Sequence, residues 1–304
     1  MSILFSYFFE KINQISPLER DFTEVLDSIA LKPKILYFYG KIPENVSKKR
    51  PKTVAVVGSR HNTKYGEEIA YKLAYELARH NVIVISGLAY GIDSIGHRGC
   101  LDGGGITVAV LGTPIDQIYP RNHRKLAEEI LAKDGAIMSE YGPGTKVFMR
   151  TSFLERNRLI AGLSDIVVVV EAAEKSGSLN TATHAIEQGK TVFAVPGNIT
   201  NPYSQGCNKL IKQGAVPYTE PDDVLRELFP EEYYKKQKRL KKSHLVGDTD
   251  VETLILQAIA SGLRKGEEIM QATNLPPEVF NQTVTLLEIK GRLRALGMNA
   301  WSLS

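Results

Sequence analysis

The chain has 304 residues, 43% apolar and 24% charged, with a formal net charge of +4. These values exclude a disordered or fibrous chain and leave room for one large domain and a small one. The mild basic excess permits a polyanionic partner without requiring one. Cys100 and Cys207 stand far apart with no Cys-x-x-Cys spacing, which argues against a disulfide framework or a structural zinc site and for two reduced thiols in a cytosolic protein.

In chain order, residues 2–9 are apolar, but Glu10 and Lys11 end the run. It falls far short of the roughly 20 residues of a membrane span and lacks the basic leader and cleavage site of a signal peptide. Residues 1–50 read as a short N-terminal extension with one strand-like run, Ile35-Leu36-Tyr37-Phe38-Tyr39, between Pro33 and Gly40. From Thr53 onward, apolar runs at 54–57, 82–85, 107–111, 136–138, 166–170 and 192–195 alternate with helical stretches such as 65–80, 122–133 and 179–188. Continuous rather than alternating apolar runs suit strands covered on both faces. The rhythm predicts an α/β fold over 51–230, a doubly wound, mostly parallel sheet. Residues 231–248 read as a basic linker carrying Lys235, Lys236, Lys238, Arg239, Lys241 and Lys242. Over 249–304 the pattern predicts helices at 251–260, 266–273 and 276–290, then a hairpin split by Gly297, which is the winged-helix pattern. The third helix carries Glu278 and Glu288 and only Lys290, too few cations for a recognition helix, so single-strand binding is not expected to need it.

In open parallel sheets, ligands sit beyond the carboxyl ends of the strands. Here those ends carry Gly58-Ser59-Arg60, Ser86-Gly87, Gly112-Thr113-Pro114, Glu171 followed by Lys175-Ser176-Gly177-Ser178, and Pro196-Gly197-Asn198. Glycine and serine let backbone N–H groups approach an anion at helix N-termini. The helix beginning near Lys64 is expected to aim its N-terminus at the phosphate held by Arg60. The G-x-G-x-x-G fingerprint and the P-loop lysine are both missing, which disfavours an NAD enzyme or a nucleoside triphosphatase. Arg60, Arg121, Arg150, Arg156 and Arg158 stand in their place, the last three between the fourth strand and the next helix. Several guanidinium groups on a glycine-lined rim suit a polyanion. His61, His80, His97, His123, His184 and His244 show no metal spacing, and helix capping or salt bridging is the better reading of Asp93 and Glu171.

Ser86-Gly87-Leu88-Ala89-Tyr90-Gly91-Ile92-Asp93 with His97 resembles the signature of the DNA-processing protein A (DprA/Smf) family. So do Ala109-Val110-Leu111-Gly112, Tyr119-Pro120, Arg156-Asn157-Arg158-Leu159-Ile160-Ala161-Gly162, Glu171-Ala172 with Ser176-Gly177-Ser178, and Gly206-Cys207-Asn208-Lys209-Leu210-Ile211, all collinear over 33–228. The resemblance implies an extended Rossmann-like domain that binds single-stranded DNA without marked sequence preference. It also implies a cytoplasmic, non-enzymatic homodimer that needs no cofactor or metal and loads RecA onto DNA during natural transformation. It places DNA contacts at Arg60 and Arg150, more loosely at Lys175, and a dimer interface at Leu210, Ile211 and Val216; the strand-end rim and the arginines read above add Gly58, Ser59, Ser86, Gly87, Arg156, Arg158, Ser176 and Gly177 as expected DNA contacts. Departures from the family pattern are Tyr90 where arginine is usual, Gly96 for alanine, Leu154 for proline and Arg150 for lysine. A winged-helix regulator with a ligand-sensing Rossmann domain is a competing reading, which operator-specific duplex binding would distinguish. A nucleoside-monophosphate phosphoribohydrolase is a third; Gly142-Pro143-Gly144-Thr145 echoes its P-G-G-x-G-T-x-x-E motif only faintly, and no Glu follows at the right spacing.

Overall fold

The computed structural model describes residues 11–44, 50–231 and 246–303. The expected basic linker, except for its ends, lies outside the described residues. The chain divides into two compact units, Met1–Leu228 and Phe229–Ser304.

The first unit is built on β1 (Asn13–Ile15), α1 (Asp21–Glu24), β2 (Leu36–Gly40), β3 (Thr53–Val57), α2 (Lys64–Arg79), β4 (Ile83–Ser86), α3 (Ile92–Asp102), β5 (Thr107–Val110), α4 (Arg124–Ala132) and β6 (Ala136–Ser139). It continues through α5 (Met149–Leu163), β7 (Ile166–Val169), α6 (Gly177–Glu187), β8 (Thr191–Ala194), α7 (Gln205–Lys212), β9 (Val216–Pro217) and α8 (Pro221–Leu228). The nine strands form one sheet in the order β1-β2-β6-β5-β4-β3-β7-β8-β9. From β6 to β9 every neighbouring pair is parallel. The parallel strands are fully apolar where both faces are covered, as at Val54, Ala55, Val56, Val84, Ile85 and Val168, each 0% exposed.

The chain leaves β3 towards β4, β5 and β6, then returns through α5 to β7 on the other side of β3. The reversal between β3 and β7 is a topological switch point, where the diverging connections leave a crevice at the carboxyl ends.

Residues 13–40 are not an appendage. β2 pairs antiparallel with β6, Tyr37 opposite Ser139, and β1 pairs with β2. Phe22, Leu26 and Leu36 are buried in the main core. A β-carbon on Gly162 of α5 would lie 2.6 Å from Leu26 Cδ2, so the helix admits this segment only because the position has no side chain.

The second unit holds α9 (Asp250–Ala260), α10 (Gly266–Thr273), α11 (Pro277–Ile289), β10 (Leu293–Gly297) and β11 (Ala300–Leu303). Thr249 caps α9 by accepting from Glu252 N–H, and Pro277 occupies the first turn of α11. The hairpin turns through Met298 and Asn299, both in the left-handed region. Ile255, Leu256, Ile259, Ile269, Phe280, Val284, Leu287 and Leu293 form its own core. The order of elements is the one expected over 249–304; a winged-helix role for the unit belongs to the proposal below.

Candidate functional site

The loops beyond the carboxyl ends of β3, β4, β5, β7 and β8 enclose a cleft of about 810 Å³. Gly58, Ser59, Arg60 and His61 come from β3, Ala89 and Asp93 from the β4–α3 connection, and Tyr119 from the loop after β5. Met149, Arg150, Phe153, Leu154, Arg156, Asn157 and Ile160 come from α5, Lys175, Ser176, Gly177 and Ser178 from the start of α6, and Tyr203 from the loop after β8.

At 3.6 residues per turn, positions 150, 153, 154 and 157 share one helical face. The expectation that Arg150, Arg156 and Arg158 precede a helix is corrected: all three lie on α5. The run was missed because polar and apolar residues alternate irregularly along it.

The arginines separate into two groups. Arg156 is 5% exposed and its guanidinium donates to Gly87 O at 2.9 Å and to Val110 O. A β-carbon on Gly87 would meet that guanidinium at 2.5 Å, which is why glycine stands there. Arg158 donates to Glu140 Oε2 at 2.6 Å, both side chains mostly covered, and does not line the cleft. The expected DNA contact at Arg158 is therefore corrected, because it lies outside the cleft and pairs with Glu140, whereas Arg156 stays in the cleft lining with its N–H groups on Gly87 O and Val110 O. Ser86 is corrected likewise, because it is 0% exposed and donates to Val56 O at 2.6 Å. Gly87 lies beneath the Arg156 guanidinium and does not line the cleft.

Arg60, Arg150 and Lys175 form the other group. All three are exposed, all line the cleft, and none has a carboxylate partner among the described residues. The Arg60 guanidinium lies over the Phe153 ring, 5.4 Å from its centre, and Tyr119 packs against Phe153 at 5.5 Å. Phe153 thus holds one face of Arg60 and leaves its N–H edges free.

The N-terminus of α2 does not serve as the expected phosphate site. The Glu171 carboxylate takes it, accepting from Thr63 N–H at 2.8 Å and Thr63 Oγ1 at 2.6 Å. Glu171 O also accepts Ser59 N–H at 2.7 Å, so one residue pins both ends of the loop that presents Arg60. The capping reading of Glu171 holds. The N-terminus of α6, with Ser176 as its cap, faces the cleft instead. A β-carbon on Gly177 would meet nothing within 4 Å, so the glycine leaves space for close approach there.

Beneath the cleft lies a buried polar cluster. Burial, more than the opposing pull of Arg156 and of the Gly87 and Ala89 N–H groups, raises the Asp93 carboxyl above its usual range. Burial likewise lowers Arg156 to about 10, with Arg60 adding to the effect and Asp93 opposing it. His97 is 0% exposed and its Nδ1 lies 2.7 Å from Thr107 Oγ1. That hydroxyl donates to Val84 O, so it accepts from the ring, which fixes the proton on Nδ1. Burial first, then His123 and Arg156, lowers its pKa to about 3.

Tyr119, Phe153, Asn157 and Tyr203 were not singled out as lining residues from sequence. The i, i+3, i+7 spacing of Arg150, Phe153 and Asn157 was the available signal. Of the expected interface residues, Leu210 is 7% exposed and packs in the main core, which corrects its assignment. It lies on the inward face of α7 with Cys207. Ile211 is half-buried, and Val216, on the two-residue edge strand, is 41% exposed. Cys100 and Cys207 are both buried free thiols.

Residues 13–229 match the family model described as DNA recombination-mediator protein A. Protein Smf of Escherichia coli is 47% identical over 175 residues, which are 58% of this chain and 46% of that protein, so the chain spans about half the length of this relative. The structure of DNA processing protein A from Streptococcus pneumoniae superposes with a TM-score of 0.64 at 38% identity, covering 73% of this chain and 76% of that one. DNA processing protein A from Helicobacter pylori, whose structure describes a single-stranded DNA binding mode, gives a TM-score of 0.63 at 30% identity over 73% of this chain and 97% of that one. With the family model matched over residues 13–229 and the fold shared with the Streptococcus pneumoniae protein, the chain belongs to the DNA recombination-mediator protein A family.

Proposed function

We propose that the chain binds single-stranded DNA in this cleft, without marked sequence preference, and passes it to a RecA recombinase. The observation that carries the reading is the grouping of three unpaired cations, Arg60, Arg150 and Lys175, with Tyr119, Phe153 and Tyr203 around one switch-point cleft. Cations that follow a backbone, beside aromatic faces that accept any base, are what single strands require. Ser176 and Gly177 add polar contacts for phosphate oxygens, whereas Ser59, 8% exposed, spends its hydroxyl on His61 O. Glu171 fills the helix end where a nucleotide phosphate would sit in a dinucleotide-binding fold, which favours a polymer held at the rim over a bound nucleotide. The reading is one of binding rather than catalysis.

Arg60→Ala and Arg150→Ala are each expected to weaken binding to all sequences and to flatten the salt dependence by about 0.7 in slope, one phosphate each. The double variant should lose about 1.4 and bind barely at all while remaining folded. Fluorescence anisotropy over a salt series reads both; a folded double variant that binds like the wild type would place the interface elsewhere.

The finer assignments follow from the family. They are a homodimer through the first unit, cytoplasmic location and protection of incoming DNA in natural transformation; a protein-contact role for a winged-helix second unit rests instead on its acidic third helix, with Glu278 and Glu288. The exposed edge at Val216 beside Ile211 supports the dimer. Sedimentation checks it, and a strict monomer at tens of micromolar rejects it. Filament assembly by RecA on coated DNA checks the transfer, and no acceleration by the protein rejects it.

A further inference from the structure

We infer that Tyr90 is a nucleobase-stacking platform beside Arg60, a contact that reads the presence of unpaired bases rather than phosphate charge. The inference rests on the single-strand reading of the cleft. Tyr90 lies between Ala89, which lines the cleft, and Gly91, whose absent side chain lets the chain pack on Ser59 O and the Arg60 carbonyl. Ile92 N–H donates to Ser59 O at 3.2 Å, so the β3–α2 and β4–α3 loops are tied together at this point. The aromatic ring is therefore carried by the same backbone junction that carries the guanidinium.

Two observations mark the ring as a prepared surface. It is 44% exposed. It is also fixed, packing edge-on against His123 with ring centres 4.8 Å apart at 69°. His123 itself is 8% exposed and bonded through Nδ1 to Leu88 O at 2.8 Å, so the support beneath Tyr90 is rigid. An edge-to-face pair takes up at most one face of the tyrosine ring and leaves the other for a second aromatic, and the tyrosine hydroxyl makes no hydrogen bond among the described residues. Such a ring can stack on a base with little loss of its own freedom. Paired bases in a duplex are already stacked and cannot offer their faces, so this contact favours single strands where phosphate contacts alone would not.

The test compares wild type, Tyr90→Phe and Tyr90→Leu on an oligothymidylate and on an abasic oligomer of equal length, over one salt series. Tyr90→Leu is expected to weaken oligothymidylate binding by about five- to hundredfold, the range of one lost base stack. Tyr90→Phe should stay within about twofold, because the aromatic face remains. Binding of the abasic oligomer and the salt slope should not change in either variant. Photocrosslinking of an iodouracil-bearing oligonucleotide to the unaltered protein should map to Tyr90 and needs no variant to fold. If Tyr90→Leu equals wild type on oligothymidylate, or weakens both oligomers equally, the stacking role is overturned while the phosphate site of Arg60 and Arg150 stands. If the wild type holds the abasic oligomer as tightly as oligothymidylate, base stacking is overturned throughout the cleft. If it binds neither oligomer, the single-strand reading fails with it.

Discussion

Arg60, Arg150, Arg156 and Arg158 carry the same guanidinium and do three different things. Two stand free at the cleft, one is locked under Gly87, and one pairs with Glu140. Residue type and the neighbouring motif placed Arg60 correctly beside the cleft, because a glycine turn at a strand end has few other arrangements. They could not separate Arg150 from Arg158, which depends on the face of a helix and on a carboxylate 18 residues away. The distinction is measurable. Arg158→Ala should leave the salt slope of DNA binding unchanged and lower stability by about 3 kcal/mol, since it strands a mostly covered Glu140 carboxylate; denaturant unfolding reads the second and anisotropy the first. His97 gives a pH prediction. Its folded pKa, lowered from 6.5 to about 3, means that the unfolded chain binds the proton first. The stabilising contribution is therefore complete above 6.5 and is lost as pH falls through the interval towards 3, at about 1.4 kcal/mol per pH unit. Unfolding measured at pH 4 to 7 should show a steeper acid loss in the wild type than in His97→Asn, and parallel slopes would refute the assignment.

Among the elements, the strands of the parallel sheet were legible because burial on both faces leaves a continuous apolar run that few other structures produce. In the N-terminal segment only the run 35–39 was legible as a strand, corresponding to β2, and its place in the sheet was not. β2 finds its partner in β6, and β1 depends on β2, so neither strand announces its place locally. Within that segment Phe22 and Leu26 are 1% and 0% exposed. Leu26→Ala should therefore cost about 2–5 kcal/mol, as for any large side chain removed from a packed core. A loss below about 1 kcal/mol in urea unfolding would show that the segment is merely attached. The helix N-termini show the same limit of sequence. Thr63 and Ser176 both cap their helices, yet a buried carboxylate fills the first helix end and the second opens on the cleft. Glu171 lies 108 residues from Thr63, beyond the reach of any local pattern.

For the whole molecule, the net charge of +4 conceals where the charge is useful. In the first unit three exposed cations, Arg60, Arg150 and Lys175, line the switch-point cleft. In the second, Lys290 at the end of α11 is already held by Asp248 and Glu252 at 2.6 and 2.7 Å. That helix also carries Glu278 and Glu288, so single-strand affinity is assigned to the first unit. The most direct measurement is a salt titration of the full chain binding to a single-stranded oligonucleotide and to the corresponding duplex. The expected result is tighter binding to the single strand at every salt concentration, with a slope of about −2 from three phosphate contacts. Equal or tighter binding to duplex, or a slope near zero on the single strand, would contradict it.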